Sequence, residues 1–285
     1  MADRHSLDTV EVELPPDPEP LAVSTVDAHC HLDIFTDGGP AGSGVRAALD
    51  RAKAAGIDRI VQVGCDLESS RYSIDCASAF PGEVVAAIAL HPNDAPRLAD
   101  LEGALAQIEE MAQNPRVRAI GETGLDHFRT PPEKRDVQEY SFRRHIALAK
   151  SLNKTLMIHD RDAHEDVLRV LREEITPEHV VFHCFSGDAE MAKVCVDRGY
   201  VLSFAGTLTF KNAPQLREAL ALVPDDQFLV ETDAPFLTPV PYRGKPNAPY
   251  LIPHTVRLMA EIRGVSEEEI ARVTSNTAER LFGPF

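Results

Sequence analysis

The strongest constraint on the fold is a regular alternation of apolar segments of strand length with segments of helical periodicity. Eight apolar segments occur along the chain, and some are uninterrupted, such as VVAAIAL at residues 84–90. Uninterrupted apolar strands are typical of parallel sheets, because such sheets are covered on both faces. The pattern predicts an α/β fold with strands ending near residues 31, 64, 90, 126, 160, 185, 204 and 233.

A closed eight-stranded barrel fits this pattern better than an open doubly wound sheet. No predicted strand looks like a polar sheet edge, and no glycine-rich phosphate loop follows the first strand. The length of 285 residues also suits one barrel domain. We therefore predict a (β/α)8 TIM barrel over residues 23–285. A flexible extension is predicted at residues 1–22, which contain the acidic, proline-rich segment PPDPEP.

Composition limits the partners that the chain can bind. The formal net charge of −16 argues against a broad basic surface for nucleic acid. It does not exclude a metal-dependent nuclease, because bound cations supply positive charge beside the scissile phosphate. The five cysteines lack CxxC spacing, and no apolar segment has the length of a signal peptide or a membrane span. We expect a cytoplasmic monomer with reduced thiols and no membrane contact.

Polar residues with metal-binding side chains recur at the predicted strand ends. In a barrel, the C-terminal ends of all strands surround one rim, where enzymes of this fold place their active sites. Histidine and carboxylate ligands together suit zinc, manganese or magnesium, and their number exceeds what one tetrahedral ion uses. We predict two divalent metal ions (Mg, Mn or Zn) that share Glu122. The strand-end residues are His29, His31, His91, Glu122, His159, His183 and Asp233.

These residues suggest separate roles in catalysis. Asp233 is predicted to bind one ion and to act as general base toward a metal-activated water. His91 is predicted to contact the substrate or leaving group, since the other six residues complete the coordination. Arg161 and Arg243 are candidates for phosphate contacts, although exposed arginines are usually only solvated. Glu231 shares a strand face with Asp233, where it either supports a ligand histidine or serves packing.

Nine short motifs, in order along the chain, resemble those of the TatD-type metal-dependent deoxyribonucleases of the amidohydrolase superfamily. The resemblance runs from about residue 26 to residue 283. The motifs are DAHCHLD (27–33), LHP (90–92), GETGLD (121–126), IHDRDA (158–163), HCFSG (183–187), FKN (210–212), ETDAPFLTP (231–239), YRGKPN (242–247) and NTAERLF (276–282).

The resemblance implies a (β/α)8 barrel with magnesium-dependent nuclease activity on DNA, often 3′-to-5′ on single strands. It also implies the distribution of the ligands. One ion would be held by His29, His31, Glu122 and Asp233, and the second by Glu122, His159 and His183. Asp160, Thr123 and the segment 246–250 depart from the usual family pattern. The last of these bears on the substrate groove.

Two other functions remain open at this point. The same barrel and metals could hydrolyse a small ester, amide or phosphate, or an aminoacyl-tRNA ester, since one fold supports many reactions. The second alternative is a non-catalytic metal-binding scaffold. The complete set of ligands argues against the scaffold, because loss of function usually removes at least one of them.

Overall fold

A computed structural model describes residues 14–285 and confirms the predicted barrel. Eight strands lie in chain order in one sheet, and each pairs in parallel with the next. The segment that follows the last strand pairs with the end of the first strand: the Asp233 N–H donates to the His29 carbonyl, and the His31 N–H donates to the Ala234 carbonyl. The strands are β1 (Thr25–Cys30), β2 (Ile57–Gly64), β3 (Val84–Ile88), β4 (Val117–Asp126), β5 (Thr155–Arg161), β6 (Val180–Phe182), β7 (Val201–Phe204) and β8 (Phe228–Val230).

Helices surround this barrel, and apolar side chains fill the layer between them and the strands. Three strands end earlier than predicted: β3 at Ile88, β6 before His183 and β8 before Glu231. The helices are α1 (Leu32–Phe35), α2 (Ser43–Ala54), α3 (Leu67–Ala79), α4 (Leu101–Met111), α5 (Arg135–Ser151), α6 (His164–Glu173), α7 (Ala189–Asp197), α8 (Pro214–Leu222), α9 (Ile252–Arg263) and α10 (Glu267–Phe282).

A second apolar cluster fills the interior of the barrel. Alternate residues of the strands form it, among them Val61, Val85 and Met157, together with Leu281 and Phe282 of α10. Helix α10 therefore closes the N-terminal end of the barrel. The opposite end, where the strands terminate, carries the polar residues considered below.

The described part of the predicted N-terminal extension contacts the barrel. The Pro15 carbonyl accepts hydrogen bonds from the Tyr250 hydroxyl and from the Arg51 guanidinium, which also pairs with Asp17 at 2.6 Å. The Arg257 guanidinium donates to the Glu19 carbonyl. The flexibility predicted for residues 1–13 falls outside the described residues. The division at residue 22 stays a prediction.

Within residues 14–285, no helix has the length and apolar composition needed to cross a membrane. All five cysteines of the chain are unpaired. The cytoplasmic location and the monomeric state stay predictions.

Candidate metal centre

The polar residues at the C-terminal rim of the barrel lie on the same inward-facing side of the strands as the apolar interior. Along one strand, residues two positions apart point to the same side. Met157 packs in the inner apolar cluster, and His159 follows it by two residues on β5. Polar side chains therefore lie directly above the apolar core. The same spacing relates Val63 to Cys65, Val181 to His183, and Leu229 to Glu231.

An irregularity in β1 brings His29 to the same rim. The pairing of β1 with β2 shifts register between Asp27 and Cys30. Ala28 packs in the inner cluster, yet the Nδ1 atom of His29 lies 3.2 Å from the sulfur of Met157, also an inner residue. Strict alternation would place neighbouring residues on opposite faces, so the local shift turns both inward.

Glu122 lies at the middle of this group, and its two carboxylate oxygens face different residues. Its side chain is 6% exposed. Oε1 has three histidine neighbours, and Oε2 has a histidine and a thiol. Near Oε1 lie His91 Nε2 at 3.3 Å, His159 Nδ1 at 2.5 Å and His183 Nε2 at 3.0 Å. Near Oε2 lie His29 Nε2 at 3.5 Å and Cys65 Sγ at 3.6 Å.

Asp233 completes the group on the side of β1. Its backbone is left-handed, with φ +55°, a conformation uncommon outside glycine and found often at functional sites. Its Oδ1 atom lies 3.5 Å from His31 Nε2 and 3.7 Å from His29 Nε2. The structure thus brings together all seven strand-end residues that the sequence singled out. Six of them form the candidate metal centre, called the metal centre for short: His29, His31, Glu122, His159, His183 and Asp233.

The spacing within the metal centre fits coordination of divalent cations. Nitrogen and oxygen ligands about 2.0–2.1 Å from one ion, at tetrahedral angles, lie about 3.3–3.4 Å from each other. His29 Nε2 and His31 Nε2 are 3.2 Å apart, and both lie close to Asp233 Oδ1. The 2.5 Å contact of His159 with Glu122 is a direct hydrogen bond, which must open for an ion to enter.

The remaining nitrogens of three histidines face acceptors, which leaves the other nitrogen free to bind metal. In neutral His31, Nδ1–H donates to the Val63 carbonyl at 3.1 Å, so Nε2 keeps its lone pair. His183 Nδ1 lies 3.1 Å from Glu231 Oε1, and His159 Nε2 lies 3.4 Å from Asp126 Oδ2. Such contacts fix the orientation of metal-binding imidazoles. Glu231 therefore contacts one of the predicted ligand histidines, and the choice between supporting that ligand and packing stays open.

In His91 the ring nitrogen that faces away from Glu122 accepts a hydrogen bond instead of donating one. The Asn93 N–H donates to His91 Nδ1 at 3.0 Å, so in the neutral ring the proton resides on Nε2. That nitrogen points at Glu122 Oε1 as a donor and has no lone pair for a metal. This arrangement distinguishes His91 from the predicted metal-binding histidines, and its contact with substrate stays a prediction.

Burial and neighbouring charges shift the pKa values of side chains in this group. Burial lowers the pKa of His31, but the hydrogen bond and charge of Asp233 outweigh it and raise this pKa to about 9. The pKa of His159 also rises to about 9, because Asp126 and Glu122 outweigh burial. The nearby imidazoles lower the pKa of Glu122 against its burial. Metal binding must displace the histidine protons, so it weakens as the pH falls.

Two residues of this region, Cys65 and Asp126, were not assigned a role from the sequence. Cys65 contacts Glu122, as described above. Asp126 is buried; it accepts hydrogen bonds from the Asn93 amide at 2.8 Å and from the Arg129 N–H at 2.8 Å, and it lies beside His159. The only signals in the sequence were their positions just after β2 and at the end of β4.

The two candidate phosphate-binding arginines lie on exposed positions and stack on aromatic rings. The guanidinium of Arg161 lies 4.1 Å from the ring centre of Phe128, and that of Arg243 lies 4.2 Å from the ring centre of Phe210. Both arrangements are cation–π contacts. A role in binding substrate stays a prediction for both arginines.

The chain is similar to known proteins over nearly its whole length. A family model described as "TatD related DNase" matches residues 26–283. The Mycobacterium tuberculosis protein named "Uncharacterized metal-dependent hydrolase TatD" is 47% identical over 264 residues, covering 90% of this chain and 97% of that protein. The Bacillus subtilis "Uncharacterized metal-dependent hydrolase YabD" is 40% identical, covering 90% and 98%. The crystal structure of YJJV, a TatD homologue from Escherichia coli, gives a TM-score of 0.83 at 28% identity, covering 91% and 98%. The resemblance seen in the sequence is thereby confirmed: the chain belongs to the TatD-related DNase family and is a metal-dependent hydrolase.

Proposed function

We propose that this hydrolase is a deoxyribonuclease that cleaves phosphodiester bonds of DNA, preferring single strands or 3′ ends. Two divalent cations would be held as the resemblance implies, with Glu122 shared between them. The separate directions of the two Glu122 oxygens support such sharing, because each oxygen has its own histidine neighbours.

The observation that carries the proposal is an aromatic and cationic surface beside the metal centre. Phe128 follows Asp126 by two residues, is 61% exposed, and stacks with Arg161 at the end of β5. Phe236, 47% exposed, has its ring 6.4 Å from that of His31. Exposed aromatic rings stack with unpaired bases, and an adjacent guanidinium binds phosphate. A small ester would not need these features.

Asp233 and His91 have different proposed roles in the hydrolysis. Divalent cations, when bound, make water acidic and stabilise charge on a phosphate. Burial opposes the charge of Asp233, but the His31 hydrogen bond and the nearby imidazoles lower its pKa, so it is ionised. Asp233 Oδ1 accepts the proton of the water that attacks phosphorus. As the bond from phosphorus to the leaving oxygen breaks, the His91 Nε2–H, oriented by the Asn93 N–H at Nδ1, donates a hydrogen bond to that oxygen, which takes up a proton from solvent to leave as an alcohol.

The test is a panel of labelled single-stranded DNA, double-stranded DNA, tRNA esters and small phosphates, with Mg²⁺, Mn²⁺ or Zn²⁺ and with a chelator. We expect metal-dependent cleavage of DNA, fastest on single strands. Elemental analysis of the reconstituted protein should find two ions per chain. Cleavage of only a tRNA ester or a small phosphate would contradict the proposal and identify the alternative.

A pair of charge-removing variants ties the activity to the metal centre. Glu122→Gln should abolish DNA cleavage while the circular dichroism spectrum is kept. Glu83→Gln removes one negative charge from a partly buried ion pair with Arg46, away from the metal centre, and should leave cleavage unchanged. DNA cleavage that survives in the Glu122→Gln variant would indicate a contaminating nuclease.

A further inference from the structure

We propose that Cys65 is a metal ligand, and that its thiolate gives the ion beside Glu122 Oε2 a preference for zinc or cobalt over magnesium. The proposal concerns metal binding and does not depend on which substrate is hydrolysed. Cys65 follows β2 directly, and its Sγ lies 3.6 Å from Glu122 Oε2. One ligand atom each of His31, Cys65 and Glu122 lies within 4.8 Å of the others.

The contact distance fits coordination of one ion by the thiolate and the carboxylate. Zinc binds sulfur at about 2.3 Å and carboxylate oxygen at about 2.1 Å, so at a tetrahedral angle the two ligand atoms lie about 3.6 Å apart. The observed separation of Cys65 Sγ and Glu122 Oε2 is 3.6 Å. An ion can therefore bind both atoms without a large change in their separation.

The backbone of Cys65 is held from both sides, which fixes the direction of its thiol. Its N–H donates to Ser69 Oγ at 2.9 Å, at the start of α3. Its carbonyl accepts from the His91 N–H at 2.8 Å. The residue also follows Val63 of the inner apolar cluster by two positions, so its side chain points into the rim. Cys65 is thus part of the same rigid frame as the metal centre.

Coordination replaces the S–H bond by a sulfur–metal bond and releases the thiol proton to solvent. Soft thiolate ligands select zinc and cobalt, whereas magnesium requires oxygen ligands. The selectivity should apply to the ion near Glu122 Oε2. Glu122 Oε1 faces only histidines among the contacts described above, so an ion on that side gains no thiolate.

Cobalt provides a direct test, because a thiolate bound to Co²⁺ gives a near-ultraviolet charge-transfer absorption that imidazole and carboxylate ligands do not give. The full-length protein, freed of metal, is titrated with Co²⁺, and the bound metal is measured by elemental analysis. We expect the absorption in the native protein and its loss in Cys65→Ser. Cys184→Ser is the matched control: Cys184 is also partly exposed and follows His183, and it should retain the absorption.

A competition experiment gives a second readout. Cys65→Ser should weaken zinc binding by about 10-fold or more, as expected when a contributor to a metal site is removed, while magnesium affinity changes little. Bound cobalt without the absorption in the native protein, or an absorption that persists in Cys65→Ser, would overturn the proposal. Equal losses of zinc and magnesium affinity would also contradict it. Because no DNA is present, failure of the deoxyribonuclease proposal leaves these results unaffected.

Discussion

His145 makes the stability of the barrel depend on pH, and it does so next to the catalytic rim. The residue is fully buried on α5; its Nδ1–H donates to the Ser141 carbonyl at 2.7 Å, and its Nε2 accepts from the Leu90 N–H at 3.2 Å. Both nitrogens are occupied only in the neutral ring. Leu90 precedes His91, so His145 anchors the segment that presents His91 to Glu122.

The size of the effect follows from the pKa of His145. Burial lowers it from 6.5 to about 4, so the unfolded chain takes up a proton at a higher pH than the folded chain. The stabilising contribution is therefore complete above pH 6.5, falls as the pH decreases toward 4, and changes no further below that. At pH 5 the solution is about 1.5 pH units below the pKa of the unfolded chain, so the loss of unfolding free energy is about 2 kcal/mol at about 1.36 kcal/mol per unit.

The perturbation is His145→Gln, whose amide can donate and accept hydrogen bonds but does not titrate. Urea unfolding at pH 7.5 and pH 5, followed by circular dichroism, gives the free energy of unfolding for each protein. The native protein should lose about 2 kcal/mol more than the variant between the two pH values. His179→Gln replaces a partly exposed histidine and should change the pH dependence less. Equal pH dependence in native protein and folded His145→Gln would refute the reasoning.

Two further predictions concern the rim and its support. Glu231→Gln keeps an acceptor for His183 but removes the charge, so metal affinity measured by chelator competition should fall about 10-fold or more; unchanged affinity would show that Glu231 serves packing alone. Phe128→Ala should weaken single-stranded DNA binding by about 1–3 kcal/mol in fluorescence anisotropy, while turnover of a small phosphodiester stays unchanged. An equal loss of DNA binding and of small-phosphodiester turnover would indicate that Phe128 stabilises the metal centre instead of binding DNA.

The fold and the composition of the rim were predictable because both depend on local patterns. Uninterrupted apolar strands such as Val84–Ile88 indicate parallel pairing. A carboxylate or histidine near the end of such a strand cannot be there for apolar packing, so its presence indicates a functional role. Glu122 and His159 were predicted as metal ligands in this way. Exact strand ends were harder to predict, since β6 and β8 stop where His183 and Glu231 turn toward the barrel axis.

Other features depend on contacts between distant strands and leave no local signal. The register shift in β1 arises from pairing with β2, and the sequence around Ala28 contains no glycine or proline to announce it. Cys65 looks like one of several small apolar residues near a strand end. Its contact with Glu122 joins residues 57 positions apart. The importance of His145 was hidden for the same reason, because this residue of α5 accepts its hydrogen bond from Leu90, which follows β3 and lies 55 positions away along the chain.

The contact of Cys65 with Glu122 bears on the proposed sharing of Glu122 between two ions. Two ions were predicted from the sequence because six ligands are more than one ion needs. Counting ligands does not distinguish the side of the site near Glu122 Oε1 from the side near Glu122 Oε2. In the structure they differ: Oε1 faces three imidazoles, and Oε2 faces one imidazole and one thiol. Ligand softness determines which divalent ion a site retains. If Glu122 is shared between two ions as proposed, its unequal surroundings favour two different ions, and selective removal of the ion bound by the proposed Cys65 thiolate with a thiol-specific reagent should leave the other bound.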